Sequence, residues 1–276
     1  MRLGLFGINL HAAAVDPTVA VAVAVAAENA GWESVWTGEH YVVPDPPLPG
    51  SPIEPDLAVL DPFLTLGLVA GATRTLRLGT GVTVVPVHPA ALLAKHAASL
   101  DRISGGRFLF GVGVGYLEPE FRALGVPLAD RGSRTDVALD VLATLWAGGA
   151  TRINGADVRA EPGPLRPGGP PLHVGGESSA ALRRAVRRGD GWYGWQMSPD
   201  AAAAAVQALA ALSHERTAPL EISVTPDAGR RLDPPTVAAY AAAGVDRLIV
   251  VPPRRTWWDA DALTDFAEQT PARLLS

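Results

Sequence analysis

Short apolar runs alternate along this chain with longer stretches whose apolar positions recur at helical spacing. The clearest instance spans Leu76 to Tyr116. Leu76–Pro86, apolar and rich in Val and Thr, reads as a buried strand. Pro89–Ile103 carries Leu92, Leu93, His96, Leu100 and Ile103 at helical spacing, with Pro89 suited to a first helical position and Gly105-Gly106 as a stop. The stretch after it, RFLFGVGVGY, is again apolar and β-prone. Strand, helix, strand is a βαβ unit, which requires parallel strands and a right-handed crossover. Both strands end in glycine and turn chemistry, where a parallel sheet keeps its ligand. Gly111, Gly113 and Gly115 share one parity and leave one strand face flat. Such a face admits either a closely packed neighbour or a planar ligand.

The same alternation continues on both sides. Arg2–Ile8 reads as strand one. Asp16-Pro17 is a cap followed by a first-turn proline, and opens a helix that Gly31 stops. Its Val19, Val21, Val23 and Val25 alternate like a strand, but the capping, alanine content and length favour helix. Glu33–Thr37 is strand two. Tyr41–Leu60 holds Pro44, Pro46, Pro47, Pro49, Pro52 and Pro55, which forbid regular structure. So long a loop is an active-site lid or disordered. Asp61-Pro62 opens a helix over Phe63–Ala72. Beyond the central unit come helices at Glu118–Leu124 and Arg131–Trp146, the latter with Val137, Leu139, Leu142, Leu145 and Trp146 apolar. Gly148–Pro170 reads as an insertion with a hairpin turn at Asn154-Gly155. Four further strand–helix pairs follow, with strands at Pro171–Gly176, Gly191–Trp195, Leu220–Thr225 and Arg247–Val251. Their helices lie at Ser178–Arg188, Pro199–Leu212, Pro234–Ala243 and Asp259–Gln269. Eight alternating pairs close a parallel (β/α)8 TIM barrel, and the length, 276 residues, suits one such domain with insertion loops near 41–60 and 148–170. The competing architecture is an open doubly wound sheet.

Composition narrows the chemistry. The absence of cysteine excludes disulfides, thiolate zinc sites and cysteine nucleophiles, and fits a cytoplasmic protein. A net charge of −5 argues against nucleic-acid and acidic-membrane partners. The N-terminal apolar run is interrupted by Asp16-Pro17, too short to span a bilayer and preceded by no basic region beyond Arg2.

In a barrel the site lies at the strands' C-terminal ends. Those ends hold His11, Glu39, His40, Thr83, His88, Gly115, Tyr116, Gly175, Gly176, Glu177, Ser178, Trp195 and Gln196. One reading is a metal-dependent hydrolase in which His11, His40 and His88 converge on an ion; it finds no His-x-His pair and no late-strand carboxylate. The other is a redox cofactor site. Gly175-Gly176-Glu177-Ser178-Ser179 leads into a helix whose free amides and hydroxyls can hold a phosphate, although Ser178 can equally be a plain cap. The Arg183, Arg184, Arg187 and Arg188 cluster either meets an anionic cofactor tail or forms a solvated face.

Several segments together resemble the luciferase-like monooxygenase superfamily of flavin and deazaflavin oxidoreductases. They are AGWESVW with Glu39-His40, LRLGTGV from Leu76, LDRISGGRFLFGVGVGY, Gly125-Val126-Pro127 with Arg131-Gly132, and Val174-Gly175-Gly176 before Gly189-Asp190-Gly191-Trp192. The resemblance implies an eight-stranded barrel, and looks closest to the branch that uses coenzyme F420, with FMN as the alternative. It implies a non-proline cis peptide at Gly81-Val82, backing the ring together with Thr83. Glu39 and His40 lie at the ring, with His40 as proton donor or acceptor. Val114 and Gly115 touch the cofactor linker, and Gly176, Glu177, Ser178 and Ser179 cradle its phosphate. It further implies a homodimer, a small-molecule substrate and no resident metal. Sugar-phosphate dehydrogenases of the family carry a catalytic Glu where Tyr116 stands here. Tyr116 is therefore a candidate to hydrogen-bond substrate or pack on the ring. The function expected is F420-dependent hydride transfer. The alternatives are an FMN-dependent monooxygenase with a reductase partner, a non-enzymatic flavin- or deazaflavin-binding protein, and the hydrolase.

Overall fold

The computed structural model describes residues 1–49, 53–212, 218–230 and 232–275. Among these residues eight parallel strands form the barrel: β1 (Arg2–Phe6), β2 (Ser34–Thr37), β3 (Arg77–Thr80), β4 (Phe108–Gly113), β5 (Leu172–Gly175), β6 (Gly191–Met197), β7 (Glu221–Pro226) and β8 (Arg247–Val250). They pair in the order β3-β2-β1-β8-β7-β6-β5-β4. The ring closes where Leu78 and Gly79 of β3 register with Phe108 and Leu109 of β4. The closed architecture, not the open sheet, is therefore the one formed.

The helices around it are α1 (Pro17–Ala30), α2 (Pro62–Ala72), α3 (Ala90–Ile103), α4 (Arg131–Trp146), α5 (Ser179–Arg188), α6 (Pro199–Leu212), α7 (Pro234–Ala242) and α8 (Ala260–Leu274). Several of their starts lie at capping side chains, whereas Pro89, expected at the first position of α3, stands just before it as the cap residue. Asp16, Asp61, Ser178, Asp233 and Asp259 each accept a hydrogen bond from a backbone amide of the following first turn. Gly31, at φ 89°, ends α1 in the left-handed conformation. The valine alternation in α1 is thus overridden by its caps. Asn154 and Gly155, both at positive φ, turn the small hairpin between Thr151–Ile153 and Ala156–Val158.

Three expectations need correction. Leu76–Pro86 is not one strand: β3 stops at Thr80, Thr83–Val84 pairs separately with β4, and Val85–Val87 is a 3-10 turn. The β-branched run Val82–Val85 hides that break, although the cis peptide that the resemblance implies at Gly81-Val82 is present and marks its place. In α3 the stripe faces differently, with Leu92 and Ile103 exposed and Leu93, Ala94, Ala97, Leu100 and Asp101 buried. Alanines fill the tightest part of this interface, so the larger residues mark it poorly. In α4, Val137 likewise is exposed, and Thr135 and Ala138 take the buried face with Leu139 and Leu142. A short helix at Ala12–Val15 was not expected. The loop from Tyr41 to Leu60 has no helix or strand among its described residues beyond the Leu10↔Val59 bridge; residues 50–52, with the predicted loop proline Pro52, lie outside the described residues.

Strand parity sorts the core into two layers. Outward side chains such as Leu5, Val35, Leu78, Phe108, Phe110, Val112, Val174, Trp192, Val224 and Leu248 pack under the helices. Inward residues Phe6, Trp36, Leu109, Tyr193 and Ile249 form a smaller cluster inside the barrel. Trp36 lies across the interior, wholly buried, and a Cβ on Gly79 would come within 2.3 Å of its ring. Below it, Arg247 is completely buried. It donates to both oxygens of Glu33 at 2.7 Å, to Ser223 Oγ at 2.9 Å and to Glu221. Among the described residues no helix is long and apolar enough to cross a membrane.

Gly79→Ala is expected to lower unfolding stability by about 1–3 kcal/mol in urea denaturation, because the ring it meets has no room to yield. A second expectation concerns acid. Glu28 accepts the amides of Arg74, Thr75 and Leu76 at 2.8, 2.6 and 2.8 Å. Burial works to raise its pKa but is outweighed by these amides, which hold it at about 2, below the usual 4.5. A carboxyl depressed on folding stabilises above its unfolded pKa and loses that contribution as pH falls through the folded value. The stability gap between wild type and Glu28→Ala should therefore be full above about pH 4.5 and shrink towards pH 2 in chemical denaturation across that range.

Candidate functional site

The loops after β1 and β2 are tied by one side chain. Asn9 is buried; its amide nitrogen donates to the carbonyls of Gly38 and Leu60 at 2.8 and 2.7 Å, and its oxygen accepts from Gly38 N. This fixes Glu39 and His40 at the barrel rim and anchors the end of the proline-rich loop beside them.

Glu39 is 5% exposed and fully engaged. One oxygen accepts from the Val84 amide, the other from the Tyr41 hydroxyl at 3.2 Å, and His88 Nε2 lies 3.2 Å away. It clamps the segment after β3 to the end of β2. Burial first, and then the charge of Glu39, push the Tyr41 phenol above its ordinary pKa, so it stays a donor. His40 takes a different partner. Its Nδ1 lies 3.0 Å from Glu120 Oε2, while Glu120 Oε1 accepts from the Tyr41 amide at 2.6 Å. Tyr116 is exposed, its ring perpendicular to that of His40 at 6.2 Å between centroids.

Glu120 is the residue that sequence reasoning passed over. It sits in the short helix Glu118–Ala123, buried beside Phe121, whereas Glu118 points to solvent and pairs with Arg122 at 3.4 Å. The one available signal was its place directly before Phe121, the buried face of an otherwise polar turn.

The Gly81-Val82 peptide is cis, and Gly81 N donates to Thr37 O at 2.8 Å. The Val82 methyls lie over Gly113 and Gly175, where added Cβ atoms would come within 2.5 and 2.9 Å. Gly111 faces the Thr80 carbonyl, and Gly115, at φ 74°, faces Phe121 and Val84. Of the two readings of the flat glycine row, close packing by neighbouring chain is the one observed. Thr83 is buried, its hydroxyl without a partner among the described residues; Val114 and Gly115 are half-buried at the end of β4. The mouth floor is apolar: Leu10, Val82 and Val251 pack on the inner cluster, and the half-exposed Trp195 ring lies 5.0 Å from Phe6.

On the far side, Gly176 has φ 108°, and Ser178 Oγ caps α5 by accepting from Ala181 N at 3.2 Å. Glu177 accepts from the Trp195 amide at 3.3 Å. The helix's first amides lack intrahelical acceptors and Ser179 stands among them. Two of the four arginines of α5 are committed elsewhere: Arg184 to Asp136 and Arg188 to Asp140 of α4. The three histidines weighed as metal ligands do not converge. His40 meets Glu120, His88 meets Glu39, and His11 is stacked on Trp257 at 4.9 Å and meets Trp258 edge-on at 4.4 Å. Burial lowers the His11 pKa.

The luciferase-like monooxygenase family model matches residues 1–247. The chain belongs to this family. An uncharacterized protein of Mycobacterium tuberculosis is 31% identical over 227 residues, covering 77% of this chain and 78% of its own length. The 4-hydroxyprotoasukamycin monooxygenase of Streptomyces nodosus subsp. asukaensis is 32% identical over 184 residues, 63% of this chain and 47% of that protein. Among solved structures, an F420-dependent secondary alcohol dehydrogenase in complex with an F420-acetone adduct superposes with TM-score 0.74 at 15% identity, covering 97% of this chain and 99% of that one. The oxygenating constituent of 3,6-diketocamphane monooxygenase from Pseudomonas putida, in complex with FMN, superposes with TM-score 0.75 at 15% identity, covering 99% and 98%. These luciferase-like structures share the barrel; at such identity they establish the fold of this chain and nothing finer.

Glu39→Ala should cost about 1–3 kcal/mol in thermal or urea unfolding, because it leaves the Val84 amide and the Tyr41 hydroxyl without their acceptor.

Proposed function

We propose that the protein is an F420-dependent oxidoreductase that moves a hydride between the deazaflavin and a small organic substrate at the barrel mouth. The observation that carries this reading is His40. Its ring is held from one side by a buried carboxylate at the rim of an apolar floor, free to exchange a proton at the other nitrogen. The residues present fit a flat ring with an anionic tail. Gly81, Val82 and Thr83 would support the ring, Val114 and Gly115 the linker, and Gly176 to Ser179 the phosphate at the positive end of α5. The bound deazaflavin would supply the hydride donor or acceptor. His40 takes or gives the accompanying proton, the apolar floor excludes water, and Glu39 holds the wall behind. Tyr116, in place of the family's Glu, argues against a sugar-phosphate substrate and offers a hydroxyl at the rim instead. The reading includes the homodimer that the resemblance implies and the cytoplasmic location that the absence of cysteine fits.

An FMN-dependent monooxygenase with a separate reductase is the second reading, favoured by the 32% identity to 4-hydroxyprotoasukamycin monooxygenase. The hydrolase is disfavoured by the separate partners of the three histidines, and the non-enzymatic binder by a histidine with one nitrogen left unengaged.

Separate titrations with F420 and with FMN, followed by fluorescence, test the proposal. F420 should bind, and FMN bind more weakly. His40→Ala should retain F420 affinity within a few-fold while hydride transfer, screened against alcohols by loss of oxidised-F420 absorbance, falls by roughly 100-fold or more. Binding of neither cofactor would overturn the reading, and tight binding of FMN alone would replace it with the second.

A further inference from the structure

Two carboxylate–imidazole pairs stand at this mouth, and they are wired differently. Glu39 meets Nε2 of His88, and that carboxylate also takes the Val84 amide and the Tyr41 hydroxyl. Glu120 meets Nδ1 of His40. Tyr41 joins them, its hydroxyl on Glu39 and its amide on Glu120. We propose that Glu120 is a positioning residue for His40: it keeps the ring hydrogen on Nδ1 and so leaves Nε2 as the nitrogen that meets substrate. The inference rests on the reading of His40 as the proton donor or acceptor.

An ionised carboxylate only accepts. Glu120 is 4% exposed, so water is a poor competitor for its oxygens. One oxygen is occupied by a backbone N–H, whose geometry is set by the chain. The other faces His40 Nδ1 at 3.0 Å, and that contact is a hydrogen bond only when Nδ1 carries the hydrogen. A neutral imidazole has one hydrogen to place, so Nε2 is then the bare nitrogen. Among the described residues Nε2 has no protein partner, and the His40 side chain is 17% exposed. The arrangement is also rigid. Phe121, next to Glu120, is 1% exposed and packs where Gly115 lacks a Cβ. The Val126 amide returns to the Phe121 carbonyl at 2.9 Å, closing the short helix that carries the carboxylate. Glu118, on the same helix, pairs outward with Arg122 and cannot substitute.

The ring nitrogens of His40 report the tautomer directly in 15N NMR of the labelled full-length protein, with the resonances assigned by their loss in His40→Asn. At alkaline pH the wild type should show a hydrogen-bearing Nδ1 and a bare Nε2. In Glu120→Gln a single amide oxygen must serve two donors, and the Nδ1–H population should drop several-fold in favour of Nε2–H. A Glu120 that merely holds the Tyr41 amide would leave the ring shifts unmoved, and that result overturns the proposal. So does a wild-type ring found mainly as Nε2–H, a test that stands even if the variant does not fold. The two readings fail separately. The expected tautomer in a protein that binds neither F420 nor FMN removes the functional reading and leaves the positioning role of Glu120 in place. Cofactor binding with the wrong tautomer does the reverse.

Discussion

A single indole sets the dimensions of this barrel. Trp36 lies across the interior, reachable from β1 and β3 only because Gly4 and Gly79 present no Cβ: one would come within 2.7 Å of its Nε1, the other within 2.3 Å of its ring. Its Nε1 donates to Ser34 Oγ at 2.9 Å, Arg247 lies 5.7 Å from its centroid on one side, and Tyr193 lies 5.7 Å away. With the indole in place, the interior divides into levels. At the strands' N-terminal ends the buried Arg247 is neutralised by Glu33 and Glu221. Burial works to raise the Glu221 pKa, but Arg247, His173 and Arg2 outweigh it and hold the carboxyl at about 2. At the other end the filling is Phe6, Leu109 and Ile249, capped by Leu10, Val82 and Val251. A polar floor and an apolar mouth are thus properties of one packed column.

The mouth is built from parts that brace one another. Asn9 ties the loops after β1 and β2. Glu39 ties the end of β2 to the segment beyond β3. Val82 sits between Gly113 of β4 and Gly175 of β5. Each link joins neighbours around the ring, so the rim's shape is inherited from strand order. Glu39, His40, His88 and Glu120 are held within this bracing, and Tyr41, at the start of the long loop, is bonded to both carboxylates.

Much of this was legible beforehand, and for identifiable reasons. Helix starts announce themselves locally, since a cap needs only one side chain and the amides of the next turn; the Asp-Pro openings of α1 and α2 and the Asp-Pro-Pro opening of α7 show it. The glycine run of β4 admits either packed chain or a planar ligand, and chain is what approaches it. What approaches Gly111 is the Thr80 carbonyl, and what approaches Gly113 is Val82. The α3 stripe misled because alanine buries as readily as leucine while weighing less in any apolar pattern. Glu120 escaped because its neighbour Glu118 has the same chemistry and a more obvious place, at the head of the helix; only burial separates the two.

The amino-acid sequence alone determined the alternation of strands and helices, the positions of the caps, the count that closes a barrel and the presence of Glu39, His40 and the glycine-serine turn at strand ends. These are local or additive properties, encoded within a few residues or in a tally of elements. Tertiary structure decided the rest. It assigned Glu39 to His88 and Glu120 to His40, and set His11 apart against two tryptophans. Which carboxylate meets which imidazole depends on residues dozens of positions apart, brought together by ring closure, and no spacing along the chain records that distance.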